Sequence, residues 1–346
     1  MSPRNGLEKI AGCPEFEAST SRMEHAIGYL QLRHMVKTLA LPLLHRSGAL
    51  WLAARLDHEP RQVALNYHNV EPKVFAAHAA FLRKQAEVVD LDTFLSGPSG
   101  SVSKPFATIT FDDGYASFVG SIVPILAACK LPATWFVPTA LVGTREVFWF
   151  DRVRAAVLAT RRKDIEFQGR RWRLYPWNRK YVAVAVCRTI KQAAPLIREA
   201  LIQETLEKLG EVPASYLRSF QLVSKEQLRS LDPIVTVGSH SHTHPQLSQL
   251  RAEAVAEELN ISKNLLEEWT RRPVCHFAFP SGDYDAAVIR AIQGAGYLSA
   301  WTTVPRFRSR ADDRYCMPRV SIDDHASVSI LAAKLTTVMQ RWSLHT

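Results

Sequence analysis

Thr108-Ile109-Thr110-Phe111-Asp112-Asp113-Gly114-Tyr115 is a run of β-formers that ends in two adjacent carboxylates and a glycine. Its β-branched and aromatic residues read as a buried strand. Acids at the end of a buried strand are costly unless they are paired or hold a cation. Gly114 lets the backbone turn sharply just after them. Adjacent side chains point in different directions, so the two carboxylates can serve separate roles. Taken alone, the motif is equally an Asp-Asp-Gly turn joining two surface elements.

The same pattern recurs on both sides. Short apolar runs at 63–67, 133–137, 234–237, 275–279 and 298–302 read as strands, and stretches at 71–88, 118–129, 248–269 and 285–294 as helices. Such alternation implies βα units around a parallel sheet, which places chemistry at the C-terminal ends of strands. The alternation stops between about 144 and 220, where two helical stretches are expected at 151–161 and 179–210. Trp149, Phe150, Trp172, Tyr175 and Trp177 in this insert either stack on sugar rings or bases, or form a small core of their own.

A second constellation follows the strand at 234–237: His240-Ser241-His242-Thr243-His244-Pro245. Neutral imidazole is the commonest transition-metal ligand. If the segment is extended, all three histidines share a face; if it coils, His240 and His244 meet and His242 points away. Asp113, His240 and His244 make a three-ligand set suited to one divalent ion, with zinc favoured and cobalt, nickel or manganese as alternatives. Such an ion acidifies water and polarises an acyl oxygen, and Asp112 would take the water's proton as general base.

In Thr110-Phe-Asp-Asp-Gly114, His240-Ser-x-x-His244 and Phe279-Pro-Ser-Gly-Asp-Tyr284, the chain resembles the polysaccharide deacetylase family, also called the NodB homology domain or carbohydrate esterase family 4. Asn66-Tyr-His-Asn-Val70 and Gly296-Tyr297 with Thr302-Thr303 are similar to a bacterial branch of it, and exopolysaccharide biosynthesis is a fitting context. The resemblance spans about 62–143 and 222–322. It implies a distorted (β/α) barrel and hydrolysis of an N-acetyl group from an amino-sugar polysaccharide, oligosaccharide or precursor. It also implies Asp112 as base, Asp113, His240 and His244 as ligands, and an oxyanion-binding backbone N–H near Ser281. Gly282 and Tyr115 are further candidates on the substrate side. Two departures stand out. Ala278 occupies the place where much of the family has an arginine that orients the base. No closing motif supplies a general acid, which leaves His325 and His68 as candidates, with His276 discounted at the start of its strand.

The expected layout is an N-terminal helical arm at 1–60, a barrel at 61–330 with a basic insert, and a C-terminal helix or tail at 331–346. The formal net charge is +10, and residues 145–220 hold sixteen Lys or Arg against eight Asp or Glu. That excess suits a phosphate-bearing, lipid-linked or nucleotide-linked substrate, or peripheral contact with an anionic membrane. Charge alone also suggests nucleic acid, but no helix-turn-helix or zinc-finger signature accompanies it. Five scattered cysteines argue against a disulfide framework. Residues 1–21 hold no apolar signal core and no run approaches a spanning helix, so the expected location is cytoplasmic, at most peripheral on the inner membrane face. Ala278 and the missing acid raise one alternative, a catalytically silent glycan-binding relative; an amidase of the same fold acting on a non-sugar amide is another.

Overall fold

The computed structural model describes residues 41–48, 61–100, 104–210 and 212–336. The chain divides into two compact units, Pro60–His325 and a second drawn from both termini. In the latter, a helix at Leu41–Arg46 packs on one at Val328–Lys334, and His45 Nδ1 lies 3.1 Å from Ser329 Oγ. The remainder of the expected arm at 1–60 and of the tail at 331–346 lies outside the described residues.

The larger unit is an α/β fold around a parallel sheet. Strands β1 (Gln62–Tyr67), β2 (Glu87–Val88), β3 (Phe106–Phe111) and β4 (Ala133–Val137) precede the insert. The insert contains β5 (Asp164–Phe167) and β6 (Arg170–Arg173); β7 (Val235–Ser239), β8 (His276–Ala278), β9 (Ser299–Trp301) and β10 (Val320–Ser321) follow. The sheet order is β10-β1-β3-β4-β7-β8-β9, with β2 beside β3 and every pair parallel. β1, β3 and β4 are buried at every position, as strands covered on both faces must be.

The ends of this order do not pair as strands. Residues 317–322 bridge them: Met317 N–H donates to Ala300 O and Thr302 N–H to Met317 O, while Ile322 N–H donates to Asn66 O. The sheet therefore curls into a distorted barrel whose seam is a single irregular segment. At the other end of the barrel, the short helix Leu91–Ser96 is capped by Asp90, whose Oδ1 accepts from Thr93 N–H at 2.9 Å. It drives Phe94 against Phe106 at the start of β3 and against Trp301, within a cluster that includes Ala64, Phe136 and Met317.

Two expectations for the insert need correction. The stretch at 179–210 is two helices, Arg179–Gln192 and Pro195–Leu209, because Pro195 lacks an N–H and disfavours helix at the residue before it. Between the insert's first two helices lies the β5–β6 hairpin, turned by Gln168 (φ 51°) and Gly169 (φ 69°), the paired positive values of a type I′ turn. The insert has its own core, in which Val153, Val157, Ile165, Val182, Val186 and Ile190 are buried, and Trp149, Phe150 and Trp172 pack against it. Tyr175 and Trp177 instead stack on each other at 5.4 Å, and Trp177 is exposed.

Emptying the plug at the barrel's closed end should destabilise the fold without touching the carboxylates at the other. Phe94→Ala is expected to cost about 3–5 kcal/mol by cavity formation, lowering the melting temperature in a calorimetric scan while leaving zinc affinity unchanged.

Candidate active site

The loops after β3 and β7 meet at the C-terminal ends of the strands. Asp113 Oδ1 lies 3.6 Å from His240 Nε2 and 3.4 Å from His244 Nε2. Both Asp113 (φ 70°) and His244 (φ 61°) adopt the left-handed region, as does Ser241 between the histidines (φ 67°). This backbone is costly for non-glycine residues and is what folds the two loops toward one point. Gly114 (φ 68°) completes the first turn, where an added Cβ would sit 3.0 Å from Val137 Cγ1. The coiled reading of the histidine segment is thus the observed one: His242 turns away, with Nδ1 2.8 Å from Thr139 Oγ1.

The donor chemistry of this trio fits a cation. His240 Nδ1 is 2.8 Å from Ala278 O, a pure acceptor, so the ring carries its proton there and turns a lone pair at Nε2 toward Asp113. Burial lowers the His244 pKa, favouring the neutral ring despite the nearby Asp113 carboxylate. The three ligand atoms lie within 4.8 Å of one another. Burial would raise the Asp113 carboxyl, but the facing His240 and His244 rings outweigh it and hold the carboxyl well below the ordinary range. On its other oxygen, Asp113 accepts from Tyr115 Oη at 3.3 Å, and Tyr115 Oη is 2.9 Å from Asp151 Oδ2 on the insert's first helix, Trp149–Ala159. Burial pushes the Asp151 carboxyl up to about 7 even with Arg154 3.3 Å away.

Asp112 faces into the barrel. Arg319, fully buried in the seam segment, grips it with Nη1 to Oδ1 at 2.7 Å and Nη2 to Oδ2 at 2.8 Å. Asn66 Nδ2 donates to Asp112 Oδ2 at 3.0 Å, and Arg319 Nε donates to Thr302 O at 2.9 Å. Burial would raise the Asp112 carboxyl; the Arg319 charge, helped by His240 and His68, overcomes this and lowers it. His68 Nε2 lies 4.0 Å from Asp112 Oδ2 with its side chain partly open to solvent. His68, Asp112, Asp113, His240 and His244 line a cavity of about 400 Å³ together with Ser281, Thr303 and residues of the insert.

Residues 99–300 match the family model described as polysaccharide deacetylase. The chain belongs to the polysaccharide deacetylase family. It is 22% identical over 148 residues to YxkH of Bacillus subtilis (strain 168), an alignment covering 43% of this chain and 52% of that protein. The chain thus spans about half the length of the curated relative it matches. The fold is similar to that of the Streptococcus pyogenes deacetylase PplD in complex with acetate (TM-score 0.53, 15% identity, 80% of this chain and 98% of that one). It is also similar to IcaB from Ammonifex degensii (TM-score 0.52, 17% identity, 80% and 97%).

In this deacetylase-family chain, Ala278 stands where an arginine was expected, and Arg319 supplies the missing guanidinium from 41 positions later in the chain. Sequence reasoning passed over it. The available signal was an arginine inside the apolar run Met317-Pro-Arg-Val320, a charge with no exposed face to occupy. Three expected site residues need revision. His325 does not line the cavity; its Nδ1 is 3.1 Å from Glu71 and its Nε2 is beside Lys180. The Tyr115 side chain is buried behind Asp113, to which its hydroxyl donates, and does not line the cavity. Gly282 (φ 70°) sits behind Ser281 against Thr303, where an added Cβ would be 2.1 Å from Oγ1, and only Ser281 of the two reaches the cavity. His276 meets Asp92 at 3.4 Å, near the closed end.

Zinc titration calorimetry should separate these roles. Asp113→Ala is expected to abolish binding and Asp112→Asn to preserve it. Tyr115→Phe should weaken binding about 10–100-fold, the usual effect of losing a group that orients a ligand.

Proposed function

We propose that this protein is a metal-dependent hydrolase that removes the N-acetyl group of an amino-sugar glycan or of its lipid-linked or nucleotide-linked precursor. The observation that carries the reading is the convergence of three potential ligand atoms, on Asp113, His240 and His244, beside a carboxylate that an arginine holds in its charged form. Zinc, held by those three donors, would supply Lewis acidity toward water and the amide oxygen.

The chain's own residues divide the remaining work. Asp112, kept ionised by Arg319, accepts a proton from the water that adds to the acetyl carbon. Asn66 and Arg319 fix the carboxylate's plane, so its orientation is set before substrate arrives. Ser281 (φ 63°) lies at the cavity wall, and its own N–H is the one assigned to the developing oxyanion, since the Gly282 and Asp283 N–H groups donate to Phe279 O and Pro280 O. His68 is 4.0 Å from Asp112 and open to the cavity, placing it to protonate the departing amine as the C–N bond breaks and acetate leaves. Arg319 and His68 fill the two roles whose apparent absence favoured a silent relative. The location in this reading is cytoplasmic, where such precursors are made.

Incubation with N-acetylated chito-oligosaccharides and phosphate-linked amino sugars should release acetate, and a chelator should stop it. Asp112→Asn should keep zinc but lose at least about 10²-fold in kcat. No acetate from any substrate by the zinc-loaded protein would overturn the assignment.

The Arg319–Asp112 pair also makes a pH prediction. The folded Asp112 pKa is depressed, so the pair's stabilisation is present above the unfolded value of about 3.9 and lost as pH falls through the folded one. In Arg319→Gln, only His240 and His68 remain to oppose burial, and the carboxyl rises. The acid limb of the kcat/KM profile should shift to higher pH, and stability should fall by about 3–5 kcal/mol.

A further inference from the structure

The helix Arg179–Gln192 has two faces. Val182, Ala183, Val186 and Ile190 are buried in the insert's core. Val184, Cys187, Arg188 and Lys191, spaced i, i+3, i+4 and i+7, line the cavity that holds Asp112 and Asp113. Arg198, from the next helix, joins the same wall. Among the described residues, no carboxylate lies within ion-pairing distance of Arg188, Lys191 or Arg198, whereas Arg154 on the same wall is paired with Asp151.

Arg198 is held in place by neutral acceptors. Its Nη2 donates to the carbonyls of Lys191 and Ala193 at 3.2 and 3.1 Å, and to Gln246 and Gln249 at 3.0 and 2.9 Å. Its Nε is buried without a partner. Burial lowers the Lys191 pKa, and the more distant Asp113 and Asp283 carboxylates offset this only in part. Three cations without a directly paired carboxylate around one cavity cost folding energy, which an anion in that cavity would offset. On the β5–β6 hairpin, Arg171 meets Asp164 at 2.8 Å, and Arg170 lies 3.5 Å over the Trp172 ring. The charge excess that bears on substrate is therefore the cavity wall, not the β5–β6 hairpin.

We propose that the cavity takes an amino sugar carrying a phosphate group, with Arg188, Lys191 and Arg198 around the phosphate while the N-acetyl group faces Asp112 and Asp113. This deepens the deacetylase reading and rests on it for the reaction. Phosphate fits better than a single carboxylate because it spreads up to two charges over three oxygens, which forked guanidinium donors and a lysine point charge can share. The phosphate could be that of a nucleotide-linked or a lipid-linked sugar, and the two share this chemistry.

The test compares acetate release from N-acetylglucosamine 1-phosphate, its uridine diphosphate conjugate, a polyprenyl-diphosphate-linked form in detergent micelles, and neutral N-acetylchitotetraose. Binding of N-acetylglucosamine 1-phosphate to chelator-treated protein is measured alongside by calorimetry, so that zinc cannot supply the contact. At least one phosphorylated substrate should exceed the neutral one about tenfold or more in kcat/KM. Lys191→Met and Arg188→Gln should bring that ratio near unity, mainly through KM, and weaken calorimetric binding about tenfold each, whereas Arg171→Gln should change neither. The nucleotide and lipid arms identify the source. Preference for the neutral oligosaccharide, with binding indifferent to Lys191, would overturn the phosphate site while leaving the deacetylase intact. Phosphate binding that depends on Lys191 without acetate from any substrate would do the reverse.

Discussion

A forked ion pair between Arg319 and Asp112 crosses the interior of the barrel at the level of the reacting groups. Burying two charges is unfavourable unless their remaining hydrogen-bonding capacity is met. Here Nε, Nη1 and Nη2 of the arginine all find acceptors, among them Thr302 O, Thr110 Oγ1 and Asn66 Oδ1. The pair thereby ties the seam segment to β1, β3 and the end of β9. Because β9 and β10 do not pair, this interaction helps fasten an otherwise open seam, and the same contact orients the carboxylate proposed as base.

A second constraint acts on the ligand trio. Asp113, Ser241, His244 and Ser281 all have positive φ without being glycine. Each such residue costs about 1–3 kcal/mol and persists only where its surroundings over-determine it. Those surroundings are visible: His244 N–H donates to Ser241 Oγ at 3.1 Å, and Glu258 accepts from His242 and Thr243 N–H at 2.7 and 2.8 Å. The strain turns side chains that would point along or away from the strands toward one point above the barrel.

The insert stands in an unusual relation to this centre. It has a hydrophobic core of its own, against which Trp149, Phe150 and Trp172 pack, while Trp149 and Phe150 also line the cavity. Yet Asp151 reaches through Tyr115 to the ligand carboxylate, and one face of its central helix walls the cavity. An element that interrupts the barrel's sequence pattern thus contributes to the barrel's site.

Much of this was legible in the sequence because it depends on local chemistry. Alternating apolar runs and amphipathic stretches dictate βα units, and Asp112-Asp113-Gly114 and His240 to His244 offer carboxylate and imidazole donors through residue type and spacing. What escaped depended on contacts between distant residues. The sequence offered no means of choosing His68 over His325, since both are solitary histidines and only the packing places one beside Asp112 and the other beside Glu71. It left the base unsupported at Ala278, because an arginine 207 residues beyond Asp112 can act only once the barrel curls. It assigned the insert's charge to the whole segment, because pairing with acids and the direction of a helix face are tertiary facts. The residue types and their order determined which chemistry was available; the closing of the sheet decided which groups meet, since the energy of a buried charge depends on its neighbours in space.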